Sequence, residues 1–86
     1  MLEVDLLKIS DRVAEKIIEA HGITPQQVRE AVEGVGGLPF SWHHHRERGD
    51  RAYVVTEIDG VAVQVVLYPS RTGDAREWHL GSAYTV

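Results

Sequence analysis

Cysteine is missing from all 86 residues, which excludes disulfides and thiolate metal sites and leaves the fold indifferent to redox conditions. No uninterrupted apolar stretch approaches the length of a membrane span, and no basic N-terminal region precedes an apolar run, so the expected location is the cytoplasm. An excess of positive charge is lacking too. The formal charge is −4, which argues against a protein whose main task is to grip nucleic acid through its phosphates. There are no repeats, low-complexity tracts or linkers. Gly34-Val35-Gly36-Gly37 has neither the following helix nor the lysine of a phosphate-binding loop. A chain this short reads as one domain, 1–86, with little stability to spare.

The charge that is present is unevenly spread. Residues 1–40 hold both lysines, two arginines and seven acids, a balance of −3, whereas residues 41–86 hold five arginines and six acids, a balance of −1. The second half also carries four of the five histidines, so protonation can turn it positive.

Local signals define two helices, an αα-hairpin over about 10–34. Met1 to Ile9 is rich in apolar residues and admits either a short strand or a lead-in to the first helix. Ser10 suits an N-cap, with Asp11 in the first turn at the positive end of the helix dipole. Val13, Ala14, Ile17 and Ile18 recur at helical spacing, and Gly22 is placed to stop the helix in a left-handed turn. Thr24-Pro25-Gln26-Gln27 combines a capping box with proline at the first helical position, flanked by Ile23 and Val28 as a hydrophobic staple. Val28, Ala31 and Val32 form the buried stripe of this second helix, and Gly34 with Gly36-Gly37 ends it.

From about residue 38 to 85 the pattern changes to that of an antiparallel sheet. Phe40, Trp42 and His44 alternate with Ser41, His43 and His45, and a loop is expected at Arg46–Asp50. Asp59-Gly60 marks a two-residue hairpin turn, which sets the register. Ile58 then faces Val61, Thr56 faces Val63, Val54 faces Val65 and Ala52 faces Leu67, all on one face. The opposite face carries Arg51, Tyr53, Val55, Glu57, Ala62, Gln64, Val66 and Tyr68. After a loop from Pro69 to Asp74, a last strand from Ala75 to about Tyr84 turns Trp78 and Leu80 inward and Glu77 and His79 outward. The expected fold is α+β: two N-terminal helices on one face of a three- to four-stranded antiparallel sheet.

The outward face collects the chemistry. His43, His45, His79 and Glu77 can exchange protons, and Arg51 has the planar fork that matches phosphate oxygens. Tyr53 and Tyr68 can orient groups or stack a splayed base, with Gln64 and Arg71 as further RNA contacts. These are the parts needed to cleave RNA without a metal: a base for the 2′-hydroxyl, an acid for the leaving oxygen and a cation for the charge growing on phosphorus. His43 and His45 share a face and could chelate with His79, yet the tighter spacing of a zinc motif is absent, and neither metal nor other cofactor is expected. His21 ends the first helix, where a positive charge suits the dipole. Arg48-Gly49-Asp50 reads as a turn, and Trp42 and Trp78 as core or partner anchors.

Several motifs occur in the order found in one family. His21-Gly22-Ile23 followed by Thr24-Pro25-Gln26-Gln27-Val28 is similar to its helix–His-Gly–helix joint. Arg51 and Tyr53 before the Asp59-Gly60 turn, Val65-Val66-Leu67-Tyr68, the turn at Thr72-Gly73-Asp74 and Ser82-Ala83 are similar to its later elements. The chain thus resembles the BrnT-like branch of the RelE/ParE superfamily of bacterial toxins. That resemblance implies a small metal-independent ribonuclease, with RNA as substrate and a cognate antitoxin protein covering its active surface. It differs at the end: where the family has Arg-x-x-Ser-Ala-Arg, this chain has His79-Leu80-Gly81-Ser82-Ala83-Tyr84, and His79 becomes the substitute acid or base. Ala20 also replaces the usual lysine. The alternative function is a non-catalytic interaction module, in which Tyr53, Val55, Val66 and Tyr68 dock a partner or a second copy as a homodimer.

Overall fold

A computed structural model describes residues 1–47, 49–71 and 75–86. The elements run β1 (Leu6–Lys8), α1 (Asp11–His21), α2 (Pro25–Val32), β2 (Phe40–His45), β3 (Gly49–Ile58), β4 (Val61–Pro69) and β5 (Glu77–Thr85). All five strands join one sheet in the order β1-β5-β4-β3-β2. The architecture is α+β as expected, but the sheet is larger and mixed, because β1 pairs with β5 in parallel. Within the apolar lead segment Met1–Ile9, Leu6–Lys8 is therefore a short strand. Its parallel pairing joins positions some seventy residues apart, Leu7 beside Trp78, which no local signal announces.

The helix boundaries follow the caps. The Ser10 hydroxyl accepts from the Val13 N–H, and Gly22 adopts φ 66° so that its own N–H reaches the carbonyls of Ile17 and Ile18. Thr24 and Gln27 form the reciprocal capping box. Gln27 does more: its Oε1 accepts from Thr24 N–H while its Nε2 donates to Asp59 at 3.0 Å. The start of α2 is thereby tied to the β3–β4 turn. Ile17, Ile23, Val28 and Val32 enter the core, with Val13 and Ala31 packed at its margin. Ile18, expected inside, is half exposed.

The β3–β4 hairpin has the register set by its turn: Ile58 opposite Val61, Thr56 opposite Val63, Val54 opposite Val65 and Ala52 opposite Leu67. Asp59 and Gly60 both have positive φ, 53° and 76°, as a type I′ turn requires. The inner residues of this ribbon, with Trp78, Leu80 and Ala83 of β5, form the core beneath the helices. Two boundaries differ from expectation. Gly49 and Asp50 open β3 rather than closing a loop, because they pair with His45 and His44; Arg48, the other residue of that expected turn, lies outside the described residues. Pro69 ends β4 opposite Trp78, and the expected turn at Thr72-Gly73-Asp74 also falls outside them.

The phase of β5 changes part-way. Unbroken alternation from Trp78 and Leu80 would turn Ser82 and Tyr84 inward. Instead the register slips between Val66 and Leu67, which pair with Ser82 and Leu80 and leave Gly81 as the extra residue of a bulge. Ala83 goes into the core and Tyr84 comes out beside Gln64. The helices cover the sheet unevenly: α1 packs mainly on β5 and α2 on β3, and neither makes a substantial contact with β2. Among the described residues, no helix is long and apolar enough to cross a membrane.

Candidate functional site

The outer face of the sheet is organised in rows that cross the strands. His43 pairs with Arg51, Arg51 falls opposite Tyr68 by continuation of the β3–β4 register, and Tyr68 pairs with His79. Four of the residues singled out above thus form one line across β2, β3, β4 and β5. The neighbouring row is Ser41, Tyr53, Val66 and Ser82.

Contacts within these rows hold Arg51 in place. Its Nη1–H donates to the Tyr68 hydroxyl at 3.4 Å, and its guanidinium carbon lies 5.3 Å from the centre of the Tyr53 ring. His43 stacks on the other aromatic partner in this group, 4.2 Å from Tyr53 and tilted by 22°, while its Nε2 lies 3.1 Å from the Ser41 hydroxyl. The result is an imidazole, a phenol and a guanidinium packed together, with a second phenol at the far side of the arginine. The Tyr68 hydrogen bond raises the pKa of Arg51 above the ordinary arginine value; partial burial opposes this, and the fields of the surrounding phenols add to it. The guanidinium is therefore a permanent cation. Its Nε is buried and has no hydrogen-bond partner among the described residues.

Beside the row opens a groove of about 770 Å³, lined by Lys8, Asp50, Tyr68, Ser70, Arg71 and His79. His79 is exposed at this groove, and Arg71 lies on the same rim. Lys8 of β1, Arg71 of the segment after β4 and the imidazole of His79 on β5 thus meet, with Asp50, at one end of the outer face.

Other expected site residues are committed elsewhere. Glu77 was expected outward as a free proton carrier, but it is only 9% exposed. Its carboxylate is paired with Lys8 at 3.2 Å and accepts from the Ser70 hydroxyl, so it secures the junction of β1, β5 and the segment after β4. His45 lies at the end of β2 and its Nδ1 accepts from the Glu47 N–H at 3.2 Å. Gln64 donates to the Tyr84 hydroxyl at 2.6 Å. His44 is on the helix side and pairs with Asp50. His21, at the end of α1, lies with its ring 6.0 Å from that of Tyr84. Among the described residues no group of three or more His, Asp or Glu side chains is placed to hold a metal ion.

Two residues at this face were not singled out from the sequence. Lys8 was hidden in a segment with no clear assignment, and Tyr84 was hidden by the bulge. An isolated glycine inside a strand pattern, Gly81, was the one available signal. Its backbone lies so close to Tyr68 that an added Cβ would sit 2.3 Å from the ring. The ring of Tyr68 therefore occupies the space that the missing side chain leaves.

No family model, curated protein or solved structure matches the chain.

Proposed function

We propose that the outer sheet face binds and cleaves RNA as a toxin-like, metal-independent endonuclease. The observation that carries this reading is the row His43–Arg51–Tyr68–His79, in which a permanently charged guanidinium lies between two imidazoles. Strand spacing puts the two histidine backbones about 14 Å apart, three steps of roughly 4.8 Å. A phosphate seated on Arg51 would have His43 on one side, once its Nε2 leaves the Ser41 hydroxyl, and His79 beyond Tyr68 on the other. The 2′-oxygen attacks phosphorus as one imidazole takes its proton. The bond to the 5′-oxygen breaks, and that oxygen receives a proton from the other imidazole, leaving a 2′,3′-cyclic phosphate and a 5′-hydroxyl. Arg51 stabilises the charge on the phosphoryl oxygens. Tyr53 and Tyr68 position the nucleotide, and Arg71 extends the cationic rim. The net charge of −4 means that local contacts, not long-range steering, supply the attraction. The family resemblance adds a cognate antitoxin that would cover this face.

The test is incubation of the purified chain with single-stranded RNA, with the ends of the products analysed for cyclic phosphate. Arg51→Ala and His79→Ala are each expected to slow cleavage by about 100-fold or more. Intact RNA in the presence of folded protein at high concentration rules the reading out. The non-catalytic docking module keeps one supporting observation, the half-exposed Val55 on this face. Its expected apolar patch is interrupted, however, because Val66 is only 6% exposed and offers a partner almost no surface.

A further inference from the structure

We infer that the chain forms a two-fold homodimer by pairing the free edge of β2 with the β2 edge of a second copy. The two ends of the sheet are treated differently. At one end β5 is covered by β1 and flanked by α1. At the other end β2 is the last strand, and its six residues, Phe-Ser-Trp-His-His-His, include no lysine, arginine, acid or proline. Those are the residues that usually blunt an exposed edge. In a chain with a formal charge of −4, this strand is the stretch along which two copies meet without like charges opposed.

The hydrogen-bond phase of the sheet shows which groups are free. The two-residue turn makes Ile58 and Val61 a hydrogen-bonded pair. Thr56, Val54 and Ala52 then direct their backbone groups to β4, and Tyr53 and Arg51 direct theirs to β2. Their partners are Ser41 and His43. The alternate residues Phe40, Trp42 and His44 consequently present N–H and C=O to the open edge. The free stretch is bounded at one end by the backbone pairing of Leu38 with Leu2 and by Pro39, which has no N–H to offer.

A two-fold axis through Trp42 satisfies all of these groups. Trp42 pairs with the second copy's Trp42, and Phe40 pairs with the second copy's His44, in the same antiparallel alternation as the rest of the sheet. Pro39 falls opposite His45, whose backbone groups already serve β3, so its missing donor leaves nothing unpaired. The side chains agree with the backbone. Phe40 and Trp42 point to the helix side but lie beyond the helices, 41% and 49% exposed. They contact each other edge-to-face at 6.4 Å, and Trp42 contacts Trp78 at 6.2 Å. Self-pairing places the two exposed indoles side by side over the seam. The assembly closes at two copies because the other edge strand, β1, has only three residues and its Leu7 N–H and C=O are taken by the Glu33 and Arg29 side chains.

An axis perpendicular to the sheet keeps both outer faces on the same side. His43 of each copy then falls opposite Ser41 of the other and brings a second imidazole next to the Tyr53 row. Association itself does not depend on the RNA reading.

Sedimentation velocity over a concentration series, with amide hydrogen exchange on the same samples, tests the proposal. The native chain should dimerise with rising concentration, and the amides of Phe40, Trp42 and His44 should then exchange at least about tenfold more slowly. Those of Ser41 and His43 should be protected at every concentration. Trp42→Lys places like charges opposite each other at the axis and should give a folded monomer. Trp42→Cys introduces the sole thiol of the chain and should form a disulfide-linked dimer under mild oxidation, whereas Val55→Cys should not. A chain that stays monomeric at all concentrations, or a dimer whose Phe40, Trp42 and His44 amides remain unprotected, overturns the proposal. So does failure of Trp42→Cys to cross-link.

Discussion

Replacing Gly81 with alanine puts one methyl group where the Tyr68 ring already lies. The new Cβ would stand 2.3 Å from Cε2 and 2.9 Å from Cδ2 of that ring, well inside van der Waals contact. A tyrosine ring moves only about two torsions, and its hydroxyl is held by Arg51, so relief requires the ring to swing out or β5 to shift. Overpacking of this kind costs about 1–3 kcal/mol. Against it stands a gain of about 0.4–1 kcal/mol, because alanine restricts the unfolded chain more than glycine does; the φ of Gly81 is not among the positive ones, so alanine is permitted there. The net expectation is a loss of about 1–2 kcal/mol, seen in urea unfolding as a lower midpoint at unchanged slope. In thermal unfolding it corresponds to a drop of roughly 4–15 °C for a domain of this size. The decisive measurement is a double-mutant cycle. In a Tyr68→Ala background the space is empty, and Gly81→Ala should become neutral or slightly stabilising, giving a coupling of about 1–3 kcal/mol. Equal destabilisation in both backgrounds would refute the idea that Gly81 exists to seat Tyr68. A glycine serving only the bulge would show that result.

Two further expectations concern other parts of the fold. Thr24→Ala should cost about 0.5–2 kcal/mol by removing the cap of α2, and Gln27→Ala should cost at least as much, since it loses both the return bond to Thr24 and the bond to Asp59; chemical denaturation of the two variants provides the comparison. The raised pKa of Arg51 means that the favourable interaction with Tyr68 is fully present below the ordinary arginine range and is lost only as pH climbs through the higher value. The stability difference between the native chain and Arg51→Met should therefore show no step attributable to Arg51 between about pH 5 and 10, as measured by urea titration across that range.

Much of the site was legible because strand alternation is a short-range rule. One turn at Asp59-Gly60 propagates its phase along β3 and β4, and this alone puts Arg51, Tyr53 and Tyr68 on one face. The placement of His43 opposite Arg51 required the β2–β3 pairing as well, which the alternating Phe40–His45 pattern indicates without giving its register. Glu77 and Val66 show where that kind of reasoning stops. Each is on the face that alternation assigns, yet Glu77 is enclosed by Lys8 and Ser70, and Val66 is covered. Facing outward and being accessible are different properties, and the second depends on neighbours from distant segments.

The chain by itself determines the parts governed by contacts within a few residues. These are the caps at Ser10, Thr24 and Gly22, the joint between the helices, the type I′ turn and the inner face of the hairpin it phases. Only the tertiary structure decides the rest. It sets the parallel docking of β1, the bulge that turns Tyr84 outward, the engagement of Glu77 and the bare edge of β2. Each of these depends on which remote strand lies alongside, and backbone pairing between remote segments is selected by the packing of the whole core rather than by any local preference.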